Sequence, residues 1–96
     1  MENTPIALAA GDLAYMDSIT GLVPVKVASV GHVHGWPRVT VKVTADRPAY
    51  SRGDTVTWPP TKIVPRASVK TRNHEPVITN NWYAVADSGE RIDVFA

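Results

Sequence analysis

Residues able to do chemistry are sparse in this 96-residue chain, and they do not gather in any pattern that catalysis requires. His32 and His34 form an H-x-H pair. On a strand, residues i and i+2 share a face, a geometry that can hold a metal. A site needs one or two more ligands, and only His74 and scattered carboxylates remain to supply them. Gly31 and Gly35 flank the pair, so the stretch 31–37 reads as a solvated loop and no metal site is expected. The chain has no cysteine, which removes disulfides, thiolate zinc sites and thiol nucleophiles. There is no glycine-rich phosphate loop, no G-x-S-x-G and no histidine beside an obvious nucleophile. The expectation is therefore a non-enzymatic protein without a cofactor. The remaining route to a ligand site or an active site is a pore built between subunits.

Charge is the more informative chemistry. Residues 38–72 carry eight basic side chains against Asp46 and Asp54, a local net of +6 in a chain whose total is +1. Residues 1–37 and 73–96 are net acidic, at −2 and −3. Such asymmetry can mark a surface for polyanions. Backbone phosphate needs only cations that reach it, and single strands add aromatic platforms. Trp36, Tyr50 and Trp58 interleave with the cations. Lys42, Arg47, Tyr50, Arg52, Lys62 and Arg66 are the candidate partner-binding residues, with Lys70 and Arg72 extending the same charge. The bland alternative is a solvated face that keeps a small sheet soluble. Arg52-Gly53-Asp54 spells an adhesive tripeptide, but its Gly-Asp reads better as the turn into the next strand. Trp58, at a strand end before Pro59-Pro60, is expected to pack over the core. Trp82 and Tyr83 cannot both face one side, so one is core and the other is free for contact.

These side chains must be held by strands. Eight prolines are scattered through the chain and leave little room for a helix. The best helical candidate is the apolar stretch 5–10. Short strands are read at 13–16, 22–30, 38–44, 55–58 and about 63–65, joined by Gly- and Pro-rich turns. Val39, Val41 and Val43 alternate with Thr40, Lys42 and Thr44, as in a half-buried strand. Val23, Val25 and Val27 alternate likewise. The parity then shifts at Ala28, which implies a bulge. Pro24 implies an edge or bulge early in that strand. Residues 82–86 and 91–95 flank Asp-Ser-Gly-Glu, a hairpin turn. Apolar residues make up 44% and charged residues 20%, which fits one globular domain. No apolar run approaches a membrane span. The acidic start and short apolar stretch do not match a signal peptide, which predicts a cytoplasmic protein with no membrane contact.

Gly11-Asp12 opening the first strand, the turn 17–21, the long second strand and the closing Ile63-Val64-Pro65 together resemble the SH3-like small barrels, including their Tudor and KOW branches. That resemblance implies an all-β fold, a barrel of about five short strands over residues 11–66. An N-terminal segment (1–10) precedes it; a linker (67–75) and a C-terminal hairpin extension (76–96) follow. The turn 17–21 lacks the aromatics of the peptide-binding branch. Tyr15, Tyr50 and Trp58 could supply part of the aromatic cage of the methyl-lysine branch. The compact, cysteine-free domain with an appended hairpin also resembles small accessory proteins of bacteriophages and mobile elements. The resulting expectation is an interaction module for protein–protein, assembly or self-association contacts. Nucleic-acid binding through residues 38–72 is the alternative, and an oligomeric ligand binder or enzyme is the second alternative.

Overall fold

The computed structural model describes residues 4–95. Alternating valines decide its central sheet. Val23, Val25 and Val27 of one strand and Val39, Val41 and Val43 of the next are at most 1% exposed, while Lys26 and Lys42 between them lie in solvent. Ten strands follow in order: β1 (Ile6–Leu8), β2 (Leu13–Ser18), β3 (Gly21–Val33), β4 (Trp36–Val43), β5 (Thr55–Trp58), β6 (Ile63–Pro65), β7 (Val69–Arg72), β8 (Glu75–Ile78), β9 (Trp82–Val85) and β10 (Arg91–Asp93). Short 3-10 turns at Pro60–Lys62 and Arg66–Ser68 flank β6. The fold is all-β.

Strands β5-β4-β3-β2-β6 form one sheet in that order, antiparallel throughout. Among the described residues β5 and β6 share no ladder, so the expected closed barrel is an open sheet. β5 has only four residues, and the chain leaves it through Pro59 and Pro60, which have no N–H to extend a ladder. A second sheet, β1-β9-β10, contributes Leu8, Trp82, Ala84 and Ile92 to the same apolar core as the valines. The Trp82 indole N–H donates to the Pro60 carbonyl at 3.0 Å, and Phe95 meets the ring edge-on at 4.8 Å. The C-terminal hairpin thus docks on its own chain.

Three sequence expectations change. Residues 5–10 are not helical: Ile6–Leu8 is a strand, parallel to β9, with Leu8 buried and Ala7 exposed. A six-residue stretch is below the length at which a helix sustains itself, so pairing with β9 decides its form. Residues 31–37 are not a loop: β3 and β4 run on to Val33 and Trp36, joined by a two-residue turn. His34 and Gly35 there have φ of 51° and 81°, the left-handed pair that matches strand twist. Residues 67–75 are not a linker. They fold largely as the hairpin β7–β8, turned by Asn73 and His74 at φ 52° and 65°.

The bulge expected at Ala28 is present. The register shifts between Val27 and Ser29, and the inserted residue returns Val30 to the buried side. Two turns repeat one design beside it. Residues 9–12 and 51–54 each end in Gly-Asp. Asp12 accepts from Ala9 N–H at 2.9 Å, and Asp54 accepts from Ser51 N–H at 2.8 Å, in both cases through the carboxylate. Gly11 N–H donates to the Val27 carbonyl and Gly53 N–H to the Val43 carbonyl, both at 2.8 Å. Each glycine is left-handed, at φ 93° and 95°. Gly53→Ala is therefore expected to lower the unfolding free energy by about 1 kcal/mol. Gly31→Ala, in open space with no left-handed φ, should stay within about 0.5 kcal/mol of the parent. Denaturant midpoints check both, and equal midpoints would contradict the turn geometry.

Candidate functional site

A concavity of about 630 Å³ lies where β3 and β4 pass the 51–54 turn, and it is lined by Lys26, Ala28, Lys42, Thr44, Arg52 and Gly53 among others. Lys26 and Lys42 are register partners on the exposed face. Thr44 N–H donates to the Pro24 carbonyl at 3.0 Å, which fixes the phase of the ladder. Two residues on, Lys26 and Lys42 are therefore a hydrogen-bonded pair with Cα atoms about 5.5 Å apart. Leu13 flanks the pair on β2 and Thr55 on β5, in one row across four strands.

Arg52 reaches this row for a reason written in β3. Pro24 has no N–H, so the Thr44 carbonyl opposite it lacks its ladder donor. The Arg52 Nε supplies that hydrogen bond at 3.1 Å. The Arg52 N–H is in turn held by the Asp46 carboxylate at 2.9 Å. Among the described residues the one side-chain ion pair is Arg91–Asp93, elsewhere on the surface, so no carboxylate lies within 4.0 Å of the three cationic groups.

The six candidate residues do not form one patch. Lys42 and Arg52 line the concavity. Arg47 and Tyr50 bond each other's backbones across a Pro48-Ala49 turn, and the Tyr50 side chain packs against the core. Lys62 sits with Asp17, Ile19 and Trp58 at a separate depression of about 380 Å³. Arg66 lies over the Tyr15 ring, 5.7 Å from its centroid. Tyr50 and Trp58 pack on the core while Tyr15 is covered by Arg66, so the three do not converge as a cage. Trp82 is the buried member of its pair, and Tyr83 faces out beneath Arg91 at 4.0 Å. Lys26 was outside the basic window. Its signal was parity: it alternates with Val25 and Val27 as Lys42 does with Val41 and Val43.

A second exposed surface is apolar. Trp36 is 66% exposed at the tip of the β3–β4 hairpin, and Val33 directly across from it is 47% exposed. Beside them lies a groove of about 190 Å³ lined by Trp36, Pro37, Pro59, Pro60, Ile92 and Val94 among others. His34 occupies the first turn position, so the alternation that would align it with His32 stops there. Among the described residues no three potential metal ligands of the His, Cys, Asp or Glu types gather, and no helix is long and apolar enough to cross a membrane.

Like charges directly opposed on a sheet face are destabilising. Lys26→Thr is expected to raise the unfolding free energy by roughly 0.5 kcal/mol at low salt, with the gain shrinking toward 1 M salt. Denaturation at the two salt concentrations reads this directly; a loss of stability at low salt would refute it. Comparisons with known protein families, curated proteins and solved structures give no match.

Proposed function

We propose that this chain is a non-enzymatic interaction module that makes protein–protein or assembly contacts through the tip of its β3–β4 hairpin. The observation that carries the reading is the exposure of Trp36 at 66% beside the two-residue turn that closes the β3–β4 hairpin. A tryptophan left in water forgoes the burial that its large apolar surface favours. Tryptophan is also among the residues that most often dominate binding energy at protein interfaces. The adjoining proline-lined groove gives a partner side chain a place to sit. The partner is a protein chain, whether a second copy or a different protein.

The five-stranded unit is best understood as SH3-like in layout. Support comes from the order β5-β4-β3-β2-β6, the 3-10 turn before β6, and the return of β6 antiparallel to β2. A module of this size with an appended hairpin suits an accessory role in a larger assembly, such as that of a bacteriophage.

Trp36→Ser tests the function. The substitution is on the surface and is expected to leave the melting temperature within about 2 °C of the parent. It is expected to weaken self-association, or binding of a partner recovered from the source cells, by about 2 kcal/mol, roughly 30-fold in Kd. Sedimentation velocity gives both affinities. An unchanged Kd, or a parent chain that is monomeric and recovers no partner, would refute the reading.

A further inference from the structure

We infer that the concavity between Lys26, Lys42 and Arg52 binds the phosphate backbone of a nucleic-acid strand. This goes beyond the hairpin-tip contact and uses a different surface.

The first argument is electrostatic. Lys26 and Lys42 stand opposite each other in one ladder, and Arg52 lines the same hollow. Three positive groups share that space with no carboxylate in ion-pair range among the described residues. Folding alone gains nothing from this arrangement, because opposed like charges weaken a sheet. An anion seated between them converts the repulsion into attraction and releases its own counterions.

The second argument is shape and pre-organisation. Ala28 and Gly53 are small, so the hollow stays open between the cations. Arg52 is tied down by its Nε bond to Thr44 and its backbone bond to Asp46. Only Nε is used in that tie, and the two terminal nitrogens of the guanidinium keep the fork that matches phosphate oxygens. A held arginine loses little freedom on binding. The volume of about 630 Å³ falls in the range of sites that hold a nucleotide-sized group.

The third argument favours an extended polyanion over an isolated anion. Positive charge continues across the exposed face. Tyr15, opposite Pro24, carries the Arg66 guanidinium over its ring, two residue pairs along the ladder from the Lys26 row and on the same face. A strand crossing from Arg52 past Lys42 and Lys26 toward Arg66 meets cations from the 51–54 turn, from β4, from β3 and from the 3-10 turn after β6, with β2, which carries no basic residue, between the last two.

The test is fluorescence anisotropy with a labelled 20-nucleotide single strand of mixed sequence, titrated from 50 to 200 mM salt. The parent chain is expected to bind, with log K falling against log salt at a slope of about −2, as three phosphate contacts on a single strand give. The double variant Lys26→Thr/Lys42→Thr should lose at least about tenfold in affinity and most of the slope. Lys70→Thr/Arg72→Thr, which removes the same charge from the β7–β8 hairpin, should bind like the parent. Thermal melts confirm that both variants fold. Inorganic phosphate should compete weakly, and polyglutamate should bind far less tightly than the oligonucleotide. No binding at 50 mM salt, equal loss in the two double variants, or equal affinity for polyglutamate would each overturn the assignment. Trp36→Ser should bind the oligonucleotide like the parent, which separates failure here from failure of the hairpin-tip reading.

Discussion

The structure depends on satisfying the backbone of β3, a thirteen-residue strand with neighbours on both sides. Every N–H and C=O along it needs a partner, because unpaired backbone groups taken out of water cost about as much as a lost hydrogen bond. β2 reaches only from Gly21 to Lys26. Beyond that, the Gly11-Asp12 turn takes both backbone groups of Val27, at 2.8 and 2.9 Å. Past the bulge, Asp87 of the C-terminal hairpin takes both groups of Val30, with its carboxylate at 3.1 Å and its own N–H at 2.9 Å. Three separate parts of the chain thus converge on one strand edge. Asp87 thereby ties the C-terminal hairpin to β3, and the Trp82 indole N–H ties it separately to the Pro60 carbonyl.

The same constraint decides the outer face. Pro24 removes one donor from the β3–β4 ladder, and the carbonyl it leaves open is filled by a side chain from another loop. A proline in a central strand would ordinarily argue against the strand itself. Here Pro24 falls at the last rung, where a single missing bond can be replaced from outside. The replacement happens to be a guanidinium. It brings a fixed positive group next to a lysine pair that the strand register had already placed.

How much of this was legible follows the range of each signal. Period-two valines gave the middle of β3 and of β4, though not their extension to the tip, and the parity shift at Ala28 gave the bulge, because both are local consequences of one face being buried. Asp-Ser-Gly-Glu gave the last hairpin for the same reason. The β7–β8 hairpin was hidden because its turn is Asn-His without glycine, and its strands bury little beyond Val69 and Val77. β1 was hidden because three residues carry no period, and only a partner 76 positions away, Trp82 for Ile6, makes them a strand. The charge window held Lys42 and Arg52, which line one hollow, together with Arg47, Lys62 and Arg66, which stand outside it. Linear density says nothing about which face a side chain takes. Lys26 needed the register, which pairs residues 16 apart.

The two proposed surfaces sit on one continuous ladder. Lys42 and Trp36 are six residues apart on β4, a separation of about 20 Å at strand rise. Lys26 and Val33 span the same stretch of β3, with the bulge between them. β5 braces this ladder as far as Val39 and Asp87 as far as Val30, so residues 31–38 project as the two-stranded tip, and a polyanion can occupy the braced end while a protein holds the tip. Lys42 and Trp36 share parity on β4, so both start from the exposed face of the sheet, and the bulge adds local twist between them. Neither an exposed tryptophan at one end of a hairpin nor an opposed lysine pair at the other adds to the stability of the free chain. The proposed adaptor role uses both: a protein partner buries the tryptophan, and a bound anion, like added salt, relieves the lysine repulsion.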